Sequence, residues 1–324
     1  MSETTRGVSA RAAETDSEEG CGIAGNFDAY GLGIRLGLYL QWLTSSITYL
    51  RVPKEAANAR GINNCFQAAM FAGLIFLTVR KQAVLHAAEA FLMLVFCMGG
   101  TCAGIIPPGF KDVVTGVFST LRGRSQRLEY SSSVASGLER CMLNFAVLSY
   151  GVWFTFKGMN HMLHPPCTTY VFFFAKVDLS DWFRVLFKMI FSLAAIVFAV
   201  FVIFELLYAT FASYQFLSGD RHEYEGVGQN KGTTPITGDQ LRDNGPFSRE
   251  VYLSIGYGTS VMLGCFVIMI ELMIRWNRIS GVNRIDSTSQ LIPLVISIGG
   301  LLRVAYCWAI RLLKKSMSGE GGLH

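Results

Sequence analysis

Phe187–Tyr214 reads FKMIFSLAAIVFAVFVIFELLYATFASY, and from Met189 to Phe204 no charged residue interrupts it. A helix needs about 20 mostly apolar residues to cross the hydrocarbon of a bilayer, so a run of this length and composition reads as a membrane span. Working outward, segments of comparable character lie at 31–50, 62–79, 84–106, 141–158, 252–276 and 289–311, with the quoted run filling 185–214. The first two are the most polar: one carries Arg35, Gln41 and several hydroxyls, the other opens on Asn63, Asn64 and Gln67. The whole chain agrees with this reading. Of 324 residues, 51% are hydrophobic and only 16% charged, against roughly a quarter charged in soluble domains. That balance excludes disordered, collagen-like and disulfide-scaffold classes, and predicts an all-α, polytopic transmembrane helical bundle of about seven spans.

The spans leave no room for a separate soluble domain. Residues 1–28, rich in Ser, Thr, Glu and Ala, read as a disordered acidic tail without the basic-then-apolar layout of a secretory signal. The transmembrane domain is expected over 29–315. It includes a short amphipathic surface helix near 111–127, where Val113, Val117, Phe118 and Leu121 have helical spacing, and a polar loop at 217–250; a short tail, 316–324, follows. In the loops and at the span ends, Lys and Arg number 11 on the side of the leading tail and 15 on the other. Basic residues favour the cytoplasmic face, so the tail is expected outside, with the chain integral to a plasma or internal membrane.

The informative residues are ionisable groups within the spans. Each costs at least about 2.5 kcal/mol near the bilayer centre and normally faces protein or water. Odd-numbered spans enter from the tail side and even-numbered ones return to it. Arg35, Glu89 and Glu271 therefore share one depth near the tail side, while Glu205 and Arg303 share another in the opposite half. Two layers of opposite charge are expected, serving either as an ion or proton pathway or as buried pairs that hold helix register. Arg275, one turn beyond Glu271, is an alternative neighbour for it. Gly33 with Gly37, Ala195 with Ala199, and Ser260 with Gly264 form small-xxx-small faces suited to close helix approach. Gln41, Asn144 and Tyr39 are expected to hydrogen-bond between helices, and Trp182, Trp276 and Trp308 to lie in the interfacial aromatic belt.

Other chemistries find less support. His161, His164 and Cys167 fall within seven residues, a spacing that could offer zinc two imidazoles and a thiolate, but Pro165 and Pro166 break the turn and a helix cap is the better reading. Asp178 and Asp181 read as caps before the apolar run that begins at Trp182. Phosphate-loop, dinucleotide, metalloprotease and nucleophile-elbow motifs are absent. We expect no cofactor. Most of the eight cysteines sit in or beside spans as small apolar residues; Cys21 and Cys167 share a face and either pair or remain free thiols. The net charge of +5 is spread among loops and gives nucleic acid no footprint. Neither N-P-x-x-Y in the seventh segment nor D-R-Y after the third is present, and the seventh has no mid-helix Lys for a retinal Schiff base.

YGLGIRLGLYLQW (Tyr30–Trp42), YVFFFAKVDLSDWFRVLFK (Tyr170–Lys188), IELMIRWNRISGV (Ile270–Val282) and STSQLIPLVISIGGLLRV (Ser287–Val304) together resemble a group of multi-spanning membrane proteins of filamentous fungi that has no assigned chemistry. The resemblance implies the topology and a eukaryotic membrane, and brings no activity or site residue. The expected function is a channel or transporter for a small ion or proton, possessing the lipid bilayer and a second copy of the chain as partners. In that scheme Glu205 and Glu89 contact the permeant species, with Arg303 and Arg35 as counter-charges. The alternatives are a membrane sensor or scaffold without transport and, third, an embedded enzyme acting on a lipid or prenyl substrate.

Overall fold

The structure is a computed structural model that describes residues 22–81, 85–105, 130–163, 168–218 and 249–320. Most of the leading tail, the 111–127 segment, nearly all of the 217–250 loop, Cys21, His164 and Cys167 lie outside the described residues. What is described is mostly helical. A short α1 (Phe27–Tyr30) leads into α2 (Leu32–Arg51), and a 3-10 turn at Pro53–Glu55 opens α3 (Ala56–Lys81). Then come α4 (Ala87–Ile105) and α5 (Tyr130–Trp153), which continues through a π-helical turn at Phe154–Gly158 into Met159–His161. A hairpin of β1 (Tyr170–Phe173) and β2 (Ala175–Asp178) precedes α6 (Trp182–Ser218), α7 (Arg249–Trp276) and α8 (Thr288–Glu320).

Helix α4 sits at the centre because it is apolar all round and small where neighbours approach. Ala88, Ala90, Leu92, Leu94 and Cys97 are fully buried. At Gly99 the indole of Trp42 lies where a β-carbon would be, and at Gly100 the stem of Gln67 comes within 3.2 Å of that position. Around α4, neighbours alternate in direction. α3 runs antiparallel to it, with Asn63 Nδ2 donating to the Gly100 carbonyl at 2.8 Å near one end and Gly73 facing Met93 further along. α5 runs parallel to α3, through Gln67 with Asn144 and Thr78 with Tyr150. α6 is antiparallel to α5: Gly151 faces the Phe191 ring, and Arg184 Nε donates to the Thr155 carbonyl at 2.8 Å. α2 and α8 run parallel, with Gly33 against Gln290, Gly37 against Pro293 and the Arg51 guanidinium 5.8 Å from the Trp308 ring centre. Such alternation is what consecutive crossings of a slab require.

Among the described residues five helical stretches are long and apolar enough to cross a membrane: Pro53–Arg80, Ala87–Gly104, Trp182–Leu207, Leu253–Trp276 and Thr288–Lys314. The expectation was about seven. Helices α2 and α5 have the length but not the composition, and the reason is visible in α2, where Arg35, Gln41, Thr44, Ser45 and Thr48 are buried against protein rather than turned outward. α8 is the opposite case. Its residues Gln290, Ser297 and Val304, seven apart, form one narrow buried stripe against α2, while Leu291, Ile292, Val295 and Leu302 are exposed. An outward apolar surface of this kind is stable only where lipid or protein covers it.

Residues 22–28, assigned to the tail on composition, pack into the fold. Ile23 is buried, and Gly25 N–H and Ser280 N–H exchange backbone bonds with the Ser280 and Ile23 carbonyls. The β-hairpin was not expected either. Its strands pair Tyr170 with Asp178 and Phe173 with Ala175, leaving Phe174 alone at the tip. Asn277, just past α7, fastens it by accepting from Tyr170 N–H at 2.8 Å and donating to the Tyr170 carbonyl at 2.7 Å.

Candidate functional site

At the tail-side end of the bundle the structure brings Arg35 and Glu271 together. Arg35 lies two residues from both Gly33 and Gly37, so while those glycines face α8 it points the other way, to α7. One guanidinium nitrogen donates to both Glu271 oxygens at 3.1 and 3.0 Å, and the other to the Val282 carbonyl at 3.2 Å and Asn283 Oδ1 at 2.7 Å. Tyr39, one turn further along α2, donates to Glu271 Oε1 at 2.8 Å. The pair is lopsided: the Arg35 side chain is 1% exposed and that of Glu271 46%. Arg35 Nε has no hydrogen-bond partner among the described residues.

Glu89 is buried beside this pair in a network of its own. It stands in the first turn of α4, where the helix dipole favours a carboxylate. It reaches back to the residue before the helix, accepting from His86 N–H at 3.3 Å and lying 3.2 Å from His86 Nδ1. That is half of a capping box, a sufficient local reason for an acid three residues into a helix. The tertiary reason is Tyr30, whose hydroxyl donates to Glu89 Oε1 at 2.5 Å and accepts from Asn26 N–H at 3.2 Å. Burial, reinforced by the charge of Glu89, pushes the Tyr30 hydroxyl well above its ordinary range, so it remains a donor.

Glu205 and Arg303 require a correction: they do not form a layer. Glu205 is buried on α6, which packs on α5, and its charged neighbour is Arg140, with Cys141 also in reach. Arg303 belongs to α8, which packs on α2; its Nε bonds Glu55 Oε2 at 3.1 Å, and its side chain is mostly exposed. Equal height along two spans placed them together in the expectation, but height carries no information about azimuth or neighbour, and these helices pack on different partners.

Two clusters of buried polar side chains that sequence reasoning did not assemble join α3, α4 and α5. Gln67 Nε2 donates to Thr101 Oγ1 and to Asn144 Oδ1, both at 2.9 Å, joining α3, α4 and α5. Thr101 Oγ1 also bonds Asn144 Oδ1 at 3.0 Å. Toward the tail side Thr78 and Tyr150 share a 2.7 Å hydroxyl–hydroxyl bond, and on the other flank Asn63 holds the Gly100 carbonyl. All six side chains are buried. Glu89 and Thr101 are twelve residues apart on one helix, about 18 Å. The two clusters therefore lie along the contact of α3, α4 and α5, Gln67 and Thr78 being eleven residues apart on α3, about 16 Å, with Glu89 on α4 toward the tail side.

The remaining candidates do not converge. His161 is exposed at the end of its short helix, and His164 and Cys167 lie outside the described residues. Among the described residues no three of His, Cys, Asp or Glu are grouped to hold a metal. Glu89 and Glu205 are too far apart to act on one substrate atom, which removes the geometry an embedded enzyme would need from them. Comparison with family models, curated proteins and solved structures returns no match.

Proposed function

We propose that the chain is an integral membrane protein of seven crossings and that it moves protons, or a small cation, along the seam between α3, α4 and α5. The observation that carries this reading is the pair of buried polar clusters, Thr78–Tyr150 and Gln67–Thr101–Asn144, which we read together with the buried Glu89 and Glu205 as stations of one path. Polar and ionisable groups in hydrocarbon are costly and mark proton relays and ion paths. Here most of them bond side chain to side chain, so donors and acceptors can exchange without unwinding a helix. Helices α2 and α5 are crossings in this reading despite their composition: Arg35, Gln41, Thr44, Ser45 and Thr48 of α2, and Asn144 and Tyr150 of α5, are buried against protein.

Purified protein in vesicles with a trapped pH-sensitive dye, under a valinomycin-imposed potassium potential, tests it. Wild type is expected to pass protons well above protein-free vesicles, with Glu205→Gln and Gln67→Leu several-fold slower. Absence of flux, or variants indistinguishable from wild type, overturns it. A scaffold without transport is favoured by one feature, the Arg35–Glu271 pair tied to the Val282–Asn283 loop, which has the form of a structural latch. For that reading Arg35 variants change stability alone.

A further inference from the structure

Phe174 is the residue that local physics least accounts for. Its φ is +58°, in the left-handed region where a β-carbon crowds the backbone and which glycine or asparagine adopts more readily. Its side chain is also 89% exposed. A tip that served only to reverse the chain would carry a small residue there, so a strained and exposed ring points to a use outside the protein. The scaffold beneath holds it firmly. The Phe173 ring packs on Trp182, Phe183 and Phe187 at 6.2, 5.7 and 6.5 Å, and the Phe172 ring lies 6.1 Å from Trp276.

Two independent span ends fix the level of this hairpin: one apolar stretch begins at Trp182 and another ends at Trp276. Phe187 lies more than a turn inside its stretch. The strand residue next to the tip thus leans on the part of α6 that enters hydrocarbon. Along α6, Trp182, Val185, Met189 and Leu193 form an exposed apolar stripe at intervals of three and four, and Phe174 continues it through Phe173. Beside the tip, Lys176 holds its ammonium 3.7 Å from the Tyr170 ring centre, an aromatic–cation pair suited to headgroup depth.

We infer that the β1–β2 hairpin is an interfacial wedge, its Phe174 ring seated at the boundary between headgroups and acyl chains of the leaflet around α6. The inference rests on the membrane placement proposed above and not on transport. Phe174→Trp, an aromatic exchange at an exposed site, is incorporated into phosphatidylcholine vesicles containing lipids brominated at shallow or deep positions. Its emission is read as the difference from wild type. Residue 174 is expected to be quenched by the shallow bromolipid, less by the deep one, and several-fold less by aqueous iodide than a free tryptophan analogue. Iodide quenching like that of the analogue, without bromolipid quenching, overturns the wedge while leaving the membrane placement intact. Failure of the wild-type chain to float with the vesicles overturns both.

Discussion

Glu271→Gln in the full chain asks whether the guanidinium buried in α2 depends on one counter-charge. Removing one partner from a fully buried pair costs about 3–5 kcal/mol, mainly because the other charge is stranded. Glu271 is half exposed, so its attraction is partly screened, and the amide oxygen still accepts from Tyr39 or Arg35. Discounting for both, we expect about 2 kcal/mol of lost stability. Arg35→Met also strips the bonds to Val282 and Asn283 and should cost about 3 kcal/mol, two hydrogen bonds from a charged donor being worth that much on their own. The double variant should then be milder than the sum by about 1–2 kcal/mol, the coupling of residues in direct contact. Denaturant titration in detergent, followed by far-ultraviolet circular dichroism, supplies the three differences. Strict additivity, or a Glu271→Gln loss below about 0.5 kcal/mol, would refute the pairing as the source of Arg35 burial.

Gly37→Ala drives a methyl to within 2.8 Å of the Pro293 carbonyl carbon; overpacking of about 1–3 kcal/mol should outweigh the roughly 1 kcal/mol that alanine contributes to a helix. Gly300→Ala meets only Gln41 Oε1 at 3.8 Å, so the same titration should find it neutral or stabilised by up to about 1 kcal/mol. Phe174→Gly, measured in detergent, should gain about 1 kcal/mol by relieving the left-handed backbone. Asn144→Leu removes the acceptor shared by Gln67 and Thr101, and a stability loss of about 1–3 kcal/mol is expected from the stranded donor.

The apolar runs were legible because a bilayer imposes a length on any helix that crosses it, and each of the long described helices overlaps one of the runs read from sequence. Boundaries and partners were less so. α3 begins at Ala56 rather than near 62, because Ala-rich sequence continues a helix without needing to be apolar. The hairpin was hidden by its composition: YVFFFAKVD has no glycine, proline or asparagine to mark a turn, and Asn277, which clips Tyr170, lies 107 positions away. Arg35 and Glu271 could be placed at one depth from span parity, which also fixes that α2 and α7 run in opposite senses. Parity could not say that α6 and α8 lack a common face, so Glu205 and Arg303 were matched on height alone. Gln67 read as a blemish in a weak span; its meaning emerged only once Thr101 and Asn144 stood beside it.

The two polar groups differ in what anchors them, and that difference assigns their roles. Arg35 bonds a backbone carbonyl and an asparagine of the Val282–Asn283 loop, so moving its side chain disturbs a chain segment at the rim of the bundle. Gln67, Thr101 and Asn144 form a triangle of side-chain bonds between three helices. A bond of that kind can be broken and remade by a rotation about χ2 or χ3, at the scale of one hydrogen bond, about 1 kcal/mol net. In the proposed reading the rim is the frame and protons pass along the inner seam. On that division neutralising Glu271 changes stability more than flux, whereas Gln67→Leu changes flux more than stability.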